Sequence, residues 1–421
     1  MFSLLLIVIY LAFISLGLPD SLLGSAWPIM NVELDVPMSY AGIVTMIIAG
    51  STIISSLLSD RLTSKIGTGR LTCLSVLTTA VALWGFSISR SFLAICLWAI
   101  PYGLGAGAVD AALNNYIALH YASRHMNWLH SFWGVGASIS PYVMSYFLIR
   151  NNNWHKGYQA IAIVQFILTA ILFISLPLWK PKETSQAGTT KKKHSQPQKI
   201  SQTLRLKGLP YALVALFAYC ALEQTTGLWA TSYLVQTRYI DSTTAAKFAS
   251  LFFLGITAGR FISGFISERL GDRRLIRMGI LTFFLGVFMI ILPTSYTLFP
   301  LVGLVIVGLG SAPVYPALMH ASPDNFGVEN SQAAIGVQMA SAYIGTTFMP
   351  PLFGLIATKI SINLFPIYLV LLAVVMIYTT EKLNLATKFG KKSHTLYSSS
   401  LSEQQTLTIN EKEADAHEKK D

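Results

Sequence analysis

SSLLSDRL, Ser55 to Leu62, returns 208 positions later as SGFISERL, Ser263 to Leu270. Each copy closes an apolar run with an acid–arginine pair, Asp60-Arg61 and Glu268-Arg269. Each then opens a loop of glycines and more arginine (Gly67, Gly69, Arg70; Gly271, Arg273, Arg274). Three further echoes keep the order and nearly the shift. Gly17-Leu18 pairs with Gly227-Leu228, GLGAG (103–107) with GLGSA (308–312), and GASISP (136–141) with GTTFMP (345–350). One echo is chance; four in register describe a unit written twice. Between the copies runs KPKETSQAGTTKKKHSQPQKISQTLRLK (180–207). It is polar, lysine-rich and without hydrophobic periodicity, the signature of a linker between two bundles.

Composition says what kind of unit is repeated. Of 421 residues, 53% are hydrophobic and 12% charged, about half the charge of an average soluble domain. Apolar runs cover 3–28, 40–58, 71–88, 92–119, 127–148, 157–179, 208–235, 243–266, 275–293, 297–319, 332–357 and 361–380. Each is long enough to cross a hydrocarbon core of roughly 30 Å, and none shows the alternation of a barrel strand. The first run lacks the basic start of a signal peptide and is interrupted by Asp20, so it reads as a retained helix. The expected fold is an all-α polytopic membrane protein of about twelve transmembrane helices. Its domains are an N-terminal six-helix bundle at 1–179, the cytoplasmic linker at 180–207, a C-terminal bundle at 208–380, and a disordered cytoplasmic tail at 381–421.

The formal net charge of +11 follows from topology rather than from a nucleic-acid partner. With the N-terminus inside, 23 of the 30 Lys and Arg fall on the cytoplasmic side and 6 on the outer side, with Arg260 left inside a helix. That is the positive-inside distribution, and it expects both termini in the cytoplasm of a cell membrane, taken as bacterial from the compact loops. Cys73, Cys96 and Cys220 all lie within apolar runs with no metal-ligand spacing. No HExxH, CxxC or phosphate-binding loop is present, so neither an enzyme nor a cofactor is expected.

Against this apolar background, three acids stand out. Asp110 lies in GAGAVDAALNNY (105–116), and from Phe92 to Leu119 there is no other charged side chain. At 100° per residue, Gly103, Gly107, Asp110 and Asn114 share one helical stripe. Its small part admits a close neighbour, and its polar part must face the bundle interior, since an acid in lipid costs at least about 2.5 kcal/mol. A rise of 1.5 Å per residue puts Asp110 roughly 15 Å from the helix end near His120, and Asp20 at a similar depth. Glu223, in AYCALEQTTGLW, is also near mid-depth. Carboxyl groups in a low dielectric exchange protons near neutrality, the chemistry of a proton-coupled carrier. The bland alternative makes each an interhelical hydrogen-bonder, with Glu223 part of a local polar patch with Gln224, Thr225 and Thr226.

Twelve spans, a long central loop and the paired motif S-x-x-[LI]-S-[DE]-R-L resemble the major facilitator superfamily over residues 1–380. GFISERLGDRR (264–274) is similar to that superfamily's loop motif; SLLSDRLTSKIGTGR (56–70) departs from it by a longer spacer and a serine in place of glycine. GLPDSLLGSAWP (17–28) and VDAALNNY (109–116) resemble the fucose-permease-like group of sugar–proton symporters. The resemblance implies two pseudo-symmetric bundles around a central site, with Asp20 and Asp110 as the group's two acids and Asn114 as its sugar-contacting amide. Candidate sugar contacts are Asn115, Trp27, His130, Trp133, Gln224, Trp229, Tyr315, Gln338 and Tyr343, because sugars stack C–H surfaces on aromatic rings and offer hydroxyls to amides. Tryptophan and tyrosine also serve as interface anchors. Asp60, Arg61, Glu268, Arg269, Arg273, Arg274 and Arg260 are the candidate gating residues.

The reading is therefore a secondary active transporter, monomeric in the bilayer, that moves a small polar solute by proton symport. The alternative is proton-coupled efflux of a lipophilic compound. GVGASISPYVMS (134–145) argues against it, having Ser140 before Pro141 and no glycine pair after it, where antiporters carry G-P-x-x-G-G.

Overall fold

The computed structural model describes residues 4–37, 40–151, 153–179, 199–240, 242–292 and 296–387. Most of the linker, from 180 to 198, and the tail from 388 lie outside the described residues. All the long elements are helices. In the first half, α1 runs Leu4–Asp20 and resumes as Leu22–Glu33; α2 is Ala41–Ile66, α3 Thr68–Ile88, α4 Phe92–His120, α5 Ser123–Asn151 and α6 Trp154–Ser175. In the second half, α7 is Leu209–Arg238, α8 Ser242–Leu270 and α9 Asp272–Ile291; α10 is Leu298–Ser311 continued by Val314–His320, α11 is Ser331–Ile356, and α12 covers residues 365–387.

Among the described residues, ten segments are long and apolar enough to cross a membrane. One of them, Ser331–Thr387, is 57 residues and contains both α11 and α12, and α7 adds a further 30-residue helix whose polar centre lowers its hydropathy. Twelve spans result. The final helix runs past the expected boundary at 380, because Glu381 on it accepts two hydrogen bonds from Arg277 of α9, at 2.5 and 2.6 Å. The tail therefore starts no earlier than 388.

The echoes in the sequence are echoes in packing. A Cβ on Gly136 would lie 2.2 Å from the Ile14 carbonyl oxygen, and one on Gly345 would lie 2.4 Å from that of Phe217, so each glycine lets the fifth helix of its half meet the first. Gly103 against Ile48 and Gly308 against Phe252, both 2.3 Å, do the same for the fourth helix and the second. Gly67 and Gly271 each end a second helix and start a third with φ of 80° and 72° and ψ of 156°, a conformation open to glycine. The halves meet through α2 with α11 and through α5 with α8, two contacts related by the same pseudo-symmetry.

Those contacts gather on the face that carries the linker. There Gln332 donates to Ser59 (3.2 Å), Trp128 to the Phe261 carbonyl (3.2 Å), and Arg124 pairs with Glu268 (3.1 Å). A Cβ on Gly336 would come within 2.5 Å of the Ser56 oxygen, so α11 and α2 touch backbone to backbone. The linker face is shut.

Candidate functional site

Asp20 owes its position to a broken helix. Pro19 has no N–H for the carbonyl of Ser15 four residues back. Gln165 of α6 supplies the missing donor to that carbonyl at 2.5 Å, while the Ser15 hydroxyl donates to its Oε1 at 2.6 Å. The helix then turns at Ser21, and Asp20 ends its first segment. Its carboxylate accepts from Tyr102 Oη of α4 and Trp133 Nε1 of α5, both at 2.9 Å. Both partners lie on the interior side of the half, yet Asp20 itself is exposed. That combination places it on the wall of the space between the halves, enclosed by protein and open to water.

Asp110 sits at the seam. Asn114 Nδ2 donates to its Oδ1 at 2.8 Å and to its backbone oxygen at 2.9 Å. Tyr343 Oη donates to Oδ2 at 2.8 Å, reaching across from α11 in the other half. With its amide nitrogen so used, Asn114 presents Oδ1 to His130 Nε2 at 3.0 Å, which makes that nitrogen the protonated one. The His130 ring stands edge-on to Tyr315 (4.9 Å) and Phe13 (5.4 Å). Gly107 on the same stripe approaches the Thr52 carbonyl to 2.3 Å from its would-be Cβ. The inward stripe read from the helical wheel is thus one surface, small where it meets α2 and polar where it meets the other half.

The third acid is paired. Glu223 Oε2 lies 3.5 Å from Arg260 Nη2, and that nitrogen also donates to Tyr219 Oη at 3.2 Å. Arg260 is 4% exposed, and its guanidinium lies 5.9 Å over the Trp133 ring. It does not snorkel; burial of a charge demands a partner, and Glu223 is that partner. Trp133 therefore holds Asp20 by its N–H and faces Arg260 with its ring.

The other candidates are less central. Asn115 accepts from Ser331 Oγ at 2.6 Å, a bond between the halves near the linker face. Trp27 is buried in an apolar cluster against Phe92. Trp229 donates to the Pro350 carbonyl (2.9 Å) and packs on Phe353. Gln338 is fully buried and accepts from Ser322 Oγ at 3.1 Å. Gln224 is half-buried next to Glu223. Among the loop residues, Glu268 pairs with Arg124 rather than Arg269, and Arg273 donates to Thr387 on α12 in its own half (3.2 Å). Arg61, Arg269 and Arg274 are exposed and Asp60 is half-buried.

Sequence reasoning missed Tyr102, Tyr219 and a cluster of Asp272, His320 and Ser123. A tyrosine within an apolar run gives no signal of its own. Asp272 lay in the quoted GFISERLGDRR, but its partners are 149 and 48 positions away.

Comparison with known proteins bears on what such a site does. The family model of the Major Facilitator Superfamily matches residues 9–246 and 212–405. The chain is 22% identical over 391 residues to Bypass of stop codon protein 6 of Saccharomyces cerevisiae, covering 84% of this chain and 77% of that one. It is 26% identical over 260 residues to the glucose/mannose transporter GlcP of Bacillus subtilis, covering 60% and 63%. The crystal structure of FucP, a transporter of this superfamily in the outward conformation, superposes with a TM-score of 0.70 at 13% identity, covering 90% of this chain and 98% of that one.

Proposed function

The chain belongs to the Major Facilitator Superfamily and is a membrane transporter rather than an enzyme; from that premise we propose that it imports a small polar solute, foremost a sugar, together with protons. The observation that carries this is the bond from Tyr343 to Asp110, a carboxylate at mid-depth gripped by the opposite half. An ionised carboxylate accepts charge-assisted hydrogen bonds, roughly twice as strong as neutral ones. A proton on Asp110 weakens the hold of Tyr343, so proton binding loosens the seam across which alternating access must occur. Asp20, on the wall of the cavity, takes the second proton or the hydroxyls of the solute. Asn114 and Gln224 supply amides, and Trp133, Tyr315 and Tyr343 supply ring faces. The sugars named for GlcP, and the polar character of this constellation, support a polar solute over a lipophilic one.

Glu223 enters differently from the other acids. Its ion pair with Arg260 keeps it engaged, so the coupling role falls on Asp20 and Asp110. The basic loops support a cytoplasmic linker face, and with that face shut the state reads as outward-facing; a monomer in a cell membrane is part of the same proposal. Uptake into proteoliposomes, with a panel of sugars and an imposed inward proton gradient, tests the reading. Asp110→Asn is expected to abolish gradient-driven accumulation while sparing exchange. Dye extrusion with no inward sugar movement would overturn import, and full accumulation by the variant would remove Asp110 from coupling.

A further inference from the structure

At the linker face, the imidazole of His320 ends α10 between two acceptors. Nδ1 lies 2.7 Å from Asp272 Oδ2, and Nε2 lies 3.1 Å from the backbone oxygen of Tyr121, across the seam in the first half. Ser123, also in the first half, donates to Asp272 Oδ1 at 2.5 Å. A carboxylate and a peptide oxygen only accept. Both ring nitrogens must therefore donate at once, which only the imidazolium does. A neutral ring keeps one N–H. It either turns a lone pair toward the Tyr121 oxygen or turns one toward the Asp272 carboxylate, and in both cases an attractive contact becomes a repulsive one.

We propose that His320 is a proton-sensing latch on the cytoplasmic gate, closed when the imidazole is protonated and released when it is neutral. The proposal rests on the transport reading for its direction, since it takes the linker face as cytoplasmic. Its consequence is feedback: a proton symporter acidifies the compartment it fills, and acid there holds this gate shut and slows further import.

The surrounding charges single out His320. Asp272 on α9 is bonded to it, and Asp324, in the short helix Ser322–Phe326 after α10, faces it as a second anion. Arg273 is tied to Thr387, and Arg124 and Glu268 are tied to each other. The neighbouring His125 receives a hydrogen bond from Arg124 Nε at 3.3 Å and bonds Tyr10 Oη at 2.7 Å through its other nitrogen. A ring that accepts from a guanidinium is neutral already, so it does not share the role.

Electron-electron distance measurements test this without any solute. Spin labels at Lys65 and Lys382, both exposed and on opposite halves of this face, go into a chain with Cys73, Cys96 and Cys220 replaced by alanine. Between pH about 5.5 and about 8, where histidine titrates, the ratio of short to long distances is expected to fall about tenfold, as loss of one charge-assisted hydrogen bond implies. His320→Gln should keep the lower, high-pH ratio at every pH. His320→Arg, a permanent cation with donors for both acceptors, should hold the short distance throughout. A pH-independent ratio in the parent chain overturns the latch, as does a pH response that survives in His320→Gln. Because the distances are read in the absence of transport, failure here leaves the sugar–proton reading to its own uptake assay.

Discussion

At the scale of single residues, the informative pair is Asp110 and Tyr343, because it joins a titratable group to a movement of whole halves. Removing the tyrosine hydroxyl leaves the ring in place and deletes only the cross-seam bond. Tyr343→Phe is expected to slow proton-driven uptake, by up to about tenfold for the loss of a hydrogen bond to a charged acceptor. In a double-mutant cycle, adding Tyr343→Phe to Asp110→Asn should cost much less than it does alone, since the charged acceptor is already gone. Additive losses, measured as initial uptake rates, would mean that the two residues act separately.

At the scale of elements, close helix approach decides what the repeats are for. Gly107 has the Thr52 oxygen 2.3 Å and the Ser55 Oγ 2.4 Å from its would-be Cβ, while Gly42 has nothing within 4 Å. Alanine is the better helix former at either site by about 1 kcal/mol. Gly42→Ala should therefore hold or raise the melting temperature, and Gly107→Ala should lower it by pushing α4 off α2, at a cost of about 1–3 kcal/mol for overpacking. The outer segment of α1 is fixed by a different device. Glu33 accepts from Trp154 Nε1 (2.6 Å) and His155 Nε2 (2.8 Å) of α6, and His155 Nδ1 reaches the Ser87 carbonyl of α3 (3.0 Å). Burial alone would raise the Glu33 carboxyl. The bonds from His155 and Trp154, with the charges of His155 and Arg90, outweigh that and hold it below its usual 4.5. A depressed acid contributes stability above its unfolded value and loses it as pH falls through the folded one. Glu33→Gln should lower the melting temperature at pH about 7, and the difference should shrink as pH falls below the usual 4.5 and through the lower folded value.

At the scale of the whole molecule, the closed linker face is a sum of modest contacts. Arg124 and Glu268 are each 45% exposed in their side chains, and such exposed pairs are worth about 1 kcal/mol or less. Neutralising Glu268 should barely shift the balance between closed and open states. Arg124→Glu, which sets two acids face to face, should open the face, and adding Glu268→Arg should close it again; distance measurements across the seam read both. A molecule that must open this face in every cycle is served by many weak fasteners rather than one strong one.

The repeat, the twelve apolar spans and the inward stripe of α4 were legible in the sequence, because hydrocarbon solvation and helical periodicity act on residues close along the chain. They located Asp20, Asp110 and Glu223 as acids near mid-membrane depth without any tertiary contact. Which acid is paired was decided elsewhere. Arg260 stands 37 positions from Glu223, Tyr343 stands 233 from Asp110, and His320 meets the backbone of Tyr121. Asn115 illustrates the same limit, adjacent to Asn114 in sequence yet turned by 100° toward Ser331 and the other half. The sequence by itself determined where polar groups must hide from lipid, since that cost is local to each helix. Only the tertiary structure decided which partner each one found, because a hydrogen bond is directional and short, and its two ends come from helices that the chain visits far apart.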